Sequence, residues 1–224
     1  MPLKKQDFVE LDYTARLEDG TVFDTTVESV AKEHKLDDKN AKHKPVIICI
    51  GESQLVKGLD DALIDKEPEG KFSVKLNPEQ AFGKKNVKLI ELVPISTFHK
   101  QQVMPQPGLR VNIDGRVAIV LRVSGGRVLV DYNHPLANKV ITYDVTLRKK
   151  INDKKQQIES YLAHAFPLPC TVQVNERSAT VETEHKLPKE LTKPLSEKMS
   201  TVVGITVEFT QKVKEKKEKD TANS

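Results

Sequence analysis

Alternating apolar and polar positions predict most of the strands of this chain. From Phe8 to Leu17, apolar side chains alternate with charged and hydroxyl side chains, which is typical of a half-buried antiparallel strand. The following Glu-Asp-Gly predicts a turn, and residues 21–24 predict a second strand. A continuous apolar run at 46–50 predicts a strand that is buried on both faces. The same patterns predict further strands at 71–76, 87–93, 109–113, 116–123, 127–132 and 139–147.

Helical spacing marks the segment 51–63, around which the first half of the chain is predicted to be organised. Leu55, Leu59 and Leu63 are four residues apart and give this segment one apolar face. Asp60 and Asp61 are predicted to lie on its exposed face, near the start, where the helix dipole favours acids. Because so short a helix is marginal by itself, we expect it to pack on a sheet.

The rest of the chain predicts two further units. Asp114-Gly115 and Gly125-Gly126 are strong hairpin signals between closely spaced strands and predict a small β-domain. After residue 150, helices at 151–166 and 189–199 and strands at 170–174, 179–184 and 202–209 predict an α/β unit. A long surface loop with one helical turn is predicted at 25–45, and a disordered charged tail at 212–224. The predicted fold class is α+β.

Composition narrows the function without identifying it. The net charge is +4 at pH 7, too small to indicate nucleic-acid binding. Both cysteines, Cys49 and Cys170, lie in strand-like runs and indicate free thiols in a reducing compartment. We expect no metal site, because the six histidines lack ligand spacing. The N-terminus has no apolar export segment and no later run could span a bilayer, so a soluble, cytoplasmic protein without membrane contact is expected.

Three motifs together resemble those of FKBP-type peptidyl-prolyl cis/trans isomerases. They are YTARLEDGTVFD at 13–24, GESQLVKGL at 51–59 and PEQAFG at 78–83. The β-domain that follows, closed by DYNHPLA at 131–137, resembles the insert-in-flap domain of SlyD-like members. The last third resembles the C-terminal extension of long archaeal members. The resemblance implies an antiparallel sheet wrapped on the short helix, with an isomerase domain at 1–85 and 131–150, a chaperone insert at 86–130, a C-terminal domain at 151–211 and the tail at 212–224.

The resemblance also implies a binding pocket. By carry-over, the catalytic residues are Tyr13, Asp24 and Phe82, and the substrate-binding residues are Phe23, Val46, Leu55, Val56, Leu59 and Tyr143. The position of Leu59 is often Trp in small family members and that of Val46 is often aromatic, which implies a shallower pocket floor here. In the insert, apolar candidates for binding unfolded chains are Leu92, Val93, Phe98, Val103, Met104 and Ile119.

Structural alternatives exist for several of these residues. Tyr13 and Phe23 could be ordinary core aromatics of a hairpin. Asp24 could simply cap the turn that begins the long loop and have no catalytic role. His134 is assigned to supporting the turn at 133–138. Most apolar residues of the insert could simply fill its own small core.

The expected function is therefore that of an isomerase of X-Pro bonds that also acts as a chaperone on unfolded or nascent polypeptides. No cofactor is expected, because the reaction breaks no bond that would require one. A non-catalytic holdase with a degenerate pocket is the alternative. A third reading is an interaction protein in which the C-terminal unit supplies the contacts, and a homodimer through that unit is an accompanying expectation.

Overall fold

The structure is a computed structural model that describes residues 1–36, 43–165, 169–185 and 187–211. Within these ranges the chain forms an α+β fold whose strands fall into three sheets. The predicted tail at 212–224 and part of the predicted loop at 25–45 lie outside the described residues. The strands are β1 Phe8–Leu17, β2 Val22–Thr25, β3 Val46–Cys49, β4 Lys71–Leu76, β5 Ile90–Pro94, β6 Arg110–Ile113, β7 Arg116–Ser124, β8 Arg127–Asp131, β9 Ile141–Ile151, β10 Cys170–Val174, β11 Ser178–Thr183 and β12 Thr206–Gln211. The α-helices are α1 Glu28–Glu33, α2 Lys57–Leu63, α3 Ile95–Lys100, α4 Lys154–Ala165 and α5 Lys189–Val203, and short 3₁₀ turns occupy Pro78–Gln80 and Val87–Leu89.

The main sheet has the order β2-β1-β9-β4, and β3 pairs with the N-terminal part of β1, from Phe8 to Leu11. The antiparallel pairing of β1 with β9 runs from Phe8 opposite Ile151 to Leu17 opposite Ile141. Helix α2 packs against this sheet, since Leu59 and Leu63 are fully buried in the same core cluster as the inward side chains of β1 and β9. The predicted packing of the short helix on a sheet is thus confirmed.

The predicted start of this helix was wrong by six residues. Residues 51–56 are irregular and α2 begins at Lys57, because Gly51 (φ +87°) and Ser53 (φ +56°) take left-handed conformations that interrupt a helix. The exposed location predicted for Asp60 was also wrong. Asp60 is buried, and its two carboxylate oxygens accept the backbone N–H of Gly51 at 3.0 and 3.1 Å.

The insert sheet has the order β5-β8-β7-β6, and α3 covers one of its faces. Both predicted hairpins are present: Asp114 and Gly115 have φ of +52° and +79°, and the Gly-Gly pair after β7 also has positive φ, as tight hairpin turns require. Phe98 was a candidate for binding unfolded chains, but it is buried in the insert core, as the structural alternative expected. The strand predicted at 87–93 begins only at Ile90, after a 3₁₀ turn.

The C-terminal unit, residues 154–165 and 169–211 where described, is a sheet in the order β10-β11-β12 covered by α4 and α5. Ile151, predicted to begin α4, instead ends β9, because the pairing with β1 continues to this residue. Asp153 then caps the helix, its Oδ1 accepting the Gln156 N–H at 2.8 Å. Val202, predicted in a strand, belongs to α5, which ends at Val203 and is capped by Gly204 (φ +77°).

Strand β3 contributes to two cores. Ile48, together with Ile50 just after the strand, packs in the main core, whereas Ile47 and Cys49 pack in the core of the C-terminal unit. The predicted burial of this strand on both faces is confirmed, because the C-terminal unit covers the back of the main sheet. Cys49 is buried and Cys170 half-buried, and both are free thiols. No helix in the described ranges is long and apolar enough to cross a membrane.

Candidate active site

Two tyrosines meet on the face of the main sheet that α2 covers. Tyr143 lies opposite Ala15 and Tyr13 lies opposite Val145, so the two tyrosines are diagonal neighbours on one face of the β1–β9 pair. Their ring centroids are 5.8 Å apart, with the planes tilted by 60°. These rings form one wall of the site, and Tyr143 is the more deeply buried of the two.

A β-bulge brings two consecutive residues of β2 to the same site. Asp24 is paired with Ala15 and Val22 with Arg16, which leaves Phe23 without a partner on β1. Strict alternation would place Phe23 and Asp24 on opposite faces, but a bulge re-aims side chains. Phe23 accordingly packs against the main core, while Asp24 Oδ2 accepts a hydrogen bond from the Tyr13 hydroxyl at 2.8 Å.

Burial and the Asp24 carboxylate keep both phenols protonated. Burial raises the pKa of Tyr13 well above its ordinary value, and the neighbouring charge and hydrogen bond of Asp24 raise it further. Burial, followed by the charge of Asp24, raises the pKa of Tyr143 to about 12. At neutral pH both side chains are therefore hydrogen-bond donors, and the donor of Tyr13 is already used by Asp24.

The loop between β4 and the insert presents Phe82. Asn77 and Gln80 form a capping box around the 3₁₀ turn, and the Gly83 N–H donates to the Pro78 carbonyl at 2.6 Å. Held in this way, the Phe82 ring meets Phe23 edge-to-face at a centroid distance of 6.4 Å.

The other side of the Phe82 ring stacks on His134. The two ring centroids are 4.6 Å apart and the planes are within 3° of parallel. His134 Nδ1 also accepts the Leu136 N–H at 3.2 Å, so its predicted support of the turn is confirmed. The stacking was not predicted, although the motif at 131–137 had drawn attention to this segment. Leu136, which packs against the main core, was likewise missed.

The floor of the site comes from α2 and the segment before it. Leu59 is fully buried, and Val46, Leu55 and Val56 pack, partly buried, against the same core. Gly58 lies so close to the 3₁₀ turn that an added Cβ would be 2.7 Å from the Gln80 Cβ. This contact sets the distance between the helix and the loop that carries Phe82.

The structure thus brings together every residue implied by the resemblance. Eight of them belong to one core cluster or pack against it, and Asp24 joins them through Tyr13. We use the name aromatic cleft for the site formed by this group of side chains, which are Tyr13, Phe23, Asp24, Val46, Leu55, Val56, Leu59, Phe82 and Tyr143. No cluster of acidic, histidine or cysteine side chains suited to a metal ion occurs in the described ranges.

The insert joins the main sheet beside the cleft through a polar junction. The Asn133 side chain accepts the Asn86 N–H at 2.8 Å and donates to the Asn86 carbonyl at 3.0 Å, which ties the two crossing segments together. Asp131 accepts from Lys85 at 2.8 Å and from Asn133 at 2.7 Å. Burial alone would raise the pKa of Asp131, but these hydrogen bonds outweigh it and the pKa lies below its ordinary value.

The fold and the cleft define a class of protein in which an antiparallel sheet packs on a short helix beside an aromatic cleft and carries an inserted β-domain. Comparison with known proteins supports this classification. The model of the family "FKBP-type peptidyl-prolyl cis-trans isomerase" matches residues 2–99, and that of "FKBP26, IF domain" matches residues 91–136. A short-type peptidyl-prolyl cis-trans isomerase of Methanocaldococcus jannaschii is 32% identical over 146 residues, covering 65% of this chain and 92% of the relative. SlyD of Aeromonas hydrophila is 33% identical over 158 residues, covering 70% of this chain and 66% of the relative. The chain belongs to the FKBP-type peptidyl-prolyl cis-trans isomerase family.

Proposed function

We propose that the aromatic cleft catalyses cis/trans isomerisation of X-Pro bonds in polypeptides. The observation that carries this proposal is that four aromatic rings and four aliphatic side chains from separate segments pack in or against one core. The uncatalysed barrier is about 18–20 kcal/mol, and its transition state is a twisted imide that has lost conjugation and charge separation. An apolar, water-poor cleft favours that state over the planar, more polar ground state.

Two donors are available to orient a substrate carbonyl. In the part of the chain that the structure describes, neither the Tyr143 hydroxyl nor the Val56 backbone N–H has a hydrogen-bond partner. The Tyr13 hydroxyl, in contrast, is engaged by Asp24. The proposal therefore gives Tyr143 and Val56 the orienting role, and gives Asp24 the role of holding the Tyr13 ring in place. No step requires a nucleophile, a metal or a cofactor.

The test is a protease-free measurement of cis/trans exchange on a proline peptide by NMR. Tyr13→Ala removes one cleft wall, and we expect a loss of at least about tenfold in kcat/KM, which corresponds to roughly 1.4 kcal/mol. Tyr132→Ala is the matched control, since this tyrosine lies in the insert under Arg116 and outside the cleft. Equal exchange rates for the two variants and the wild type would show that the cleft does not catalyse the reaction.

We further propose that the insert captures unfolded polypeptide through the open face of its sheet. The pairing register places Leu92, Leu129, Ile119 and Val117 on the face opposite the insert core. Leu92 is 59% exposed and Val117 is 48% exposed. Apolar side chains on an uncovered sheet face are typical of binding surfaces rather than of a closed domain. A chain held there has its X-Pro bonds at high local concentration near the cleft.

The charge of this face indicates which polypeptides it prefers. Arg110 lies opposite Ile119, and Arg122 lies opposite Leu129, so two arginines border the apolar stripe. Neither forms an ion pair within the described residues. Apolar client segments flanked by Asp or Glu therefore complement the face in both shape and charge.

Capture is measured as suppression of aggregation of a reduced, unfolded protein. The double variant Leu92→Ser with Val117→Ser is expected to lose most of this suppression while keeping turnover of a short peptide. Val87→Ser is the control, because Val87 is 79% exposed but lies outside the sheet strands. Undiminished suppression in the double variant would contradict capture by this face, and wild-type protein that captures clients without catalysing exchange would support the holdase alternative.

The remaining proposals concern assembly and compartment. We propose a homodimer through the C-terminal unit, supported by Leu191, which is 56% exposed beside Leu187, Pro194 and Leu195 in an apolar groove. Sedimentation should show a dimer that Leu191→Glu converts to monomer, and a monomeric wild type would reject the idea.

We propose a cytoplasmic location, supported by the two free thiols. Alkylation trapping in cells should find both reduced, and oxidised thiols would contradict it.

A further inference from the structure

One side chain connects the floor of the aromatic cleft to the C-terminal unit. Glu52 lies in residues 51–56, the segment before α2 that ends with Leu55 and Val56 and that we call the cleft loop. Glu52 Oε2 accepts the Tyr161 hydroxyl of α4 at 3.1 Å. Glu52 Oε1 lies 2.9 Å from the Lys198 ammonium of α5. Both helices of the C-terminal unit thus bind the same carboxylate.

The rest of the cleft loop is fixed from within the main unit. The Gly51 N–H donates to Asp60, and the Gln54 side chain accepts the Cys49 N–H at 2.7 Å. Between these two points Ser53 has a φ of +56°, a conformation that a residue with a Cβ adopts only under constraint. Glu52 is the neighbour of that residue. Its backbone N–H donates to the Cys49 carbonyl of β3 at 3.4 Å, and its two side-chain partners add contacts from the C-terminal unit at the same point of the loop.

Burial makes the loss of this contact costly. The Glu52 side chain is 9% exposed, and a buried carboxylate needs hydrogen-bond donors to offset its desolvation. Burial and the neighbouring Glu52 charge raise the pKa of Tyr161 to about 12, so its hydroxyl stays protonated and able to donate. Lys198 is 54% exposed and contributes less through its charge alone.

The backbone leading into the loop is also packed against the C-terminal unit. Ile47 and Cys49 on β3 and Phe8 on β1 belong to the same core as Ile158 and Met199 of α4 and α5. The unit therefore packs directly behind β3, and Glu52 follows shortly after the end of that strand.

We propose that the C-terminal unit positions the cleft loop for catalysis, with Glu52, Tyr161 and Lys198 as positioning residues. The proposal rests on the isomerase function of the cleft. None of the three residues touches the substrate. They act by restricting the loop that carries Leu55 and the Val56 N–H, so releasing them loosens the substrate-binding surface without removing any of its groups.

The experiment compares Tyr161→Phe, Lys198→Met and their double variant with Lys155→Met in the full chain. Lys155→Met is a matched control, since Lys155 forms an exposed pair with Glu159 on α4 and has no contact with the loop. In the double variant we expect amide hydrogen exchange in residues 51–56 to accelerate about tenfold and KM for a proline peptide to rise about threefold to tenfold, with a smaller change in kcat. Lys155→Met should change neither quantity.

A double-mutant cycle with Glu52 separates positioning from general loss of stability. In the background of Glu52→Ala, Lys198→Met should have no further effect on loop exchange or KM, because its partner is already absent. Glu52→Gln keeps an acceptor and should lie between the wild type and Glu52→Ala. Wild-type exchange and KM in the Tyr161→Phe with Lys198→Met variant would overturn the proposal. A wild type without isomerase activity would instead reject the proposed function, while the exchange data would still show whether the unit restrains the loop.

Discussion

Phe82 provides the sharpest test of the aromatic cleft. Its ring makes an edge-to-face contact with Phe23 and a stacked contact with His134. Each such aromatic pair contributes about 0.5–1.5 kcal/mol beyond simple burial. Phe82→Ala therefore removes roughly 1–3 kcal/mol of interactions that shape the cleft, together with the wall that excludes water from a bound X-Pro bond.

The expected result is a fall in kcat/KM of about tenfold to a hundredfold, since each 1.4 kcal/mol of lost transition-state stabilisation corresponds to about tenfold in rate. The fold should persist, because Phe82 is only partly buried and its loop is fixed independently by the capping box of Asn77 and by Gly83. His134→Ala removes only the stacked partner, so we expect a smaller loss, of a few-fold.

The assay is cis/trans exchange of a proline peptide without a coupled protease, accompanied by a urea unfolding curve. Phe209→Ala is the matched control, because Phe209 is also a partly buried aromatic but packs in the C-terminal core. A kcat/KM for Phe82→Ala equal to that of Phe209→Ala would refute the reasoning. So would a loss that is fully explained by unfolding at the assay temperature.

Three other predictions follow from single contacts. Gly58→Ala should lower the free energy of unfolding, because overpacking against Gln80, at about 1–3 kcal/mol, outweighs the gain in helix propensity of up to about 1 kcal/mol. A variant more stable than the wild type in urea unfolding would contradict the tight contact. Asn133→Ala should accelerate amide exchange at Asn86, whose backbone it binds twice, and retained protection would argue against a junction clamp. Because the pKa of Tyr143 is raised to about 12, its contribution to stability is complete below about pH 10 and is lost as the pH rises towards 12. In Tyr143→Phe the urea midpoint should therefore fall less steeply between about pH 10 and 12 than in the wild type. An equally steep fall in the two proteins would contradict the burial of this phenol.

Much of the fold follows from local pattern. Alternation located β1 to the residue and the hairpin signals located β7 and β8 closely, because strand periodicity and tight-turn chemistry are encoded by neighbours in sequence. The start of α2 was misplaced because the leucine spacing continues through a loop whose geometry is fixed by Asp60 and Gln54. That constraint comes from hydrogen bonds between side chains and nearby backbone groups, which leave no periodic signal.

The site likewise combines features that the sequence motifs predict with features that they do not. The identities of its aromatic residues were available from the motifs, but the reason that Phe23 and Asp24 share one side is a bulge in the pairing of β1 and β2. Nothing in the alternation of residues 21–24 predicts that bulge. The stacking of His134 on Phe82 joins segments separated by the whole insert, so it depends on how the two ends of the insert meet at Asn133 and Asn86.

The insert and the C-terminal unit contact the surroundings of the cleft at different points, and this gives each a distinguishable effect on catalysis. The insert reaches the cleft through the junction at Asn133, which directly precedes His134 and so adjoins the Phe82 wall. The C-terminal unit reaches it through Glu52, which precedes the floor residues Leu55 and Val56. Disturbing the junction should therefore alter the wall and the delivery of clients, whereas disturbing Glu52 should alter how firmly the floor holds a peptide. Because the two connections share no residue, their effects on kcat/KM are expected to be additive, and strong coupling between Asn133→Ala and Glu52→Ala would show that wall and floor move together.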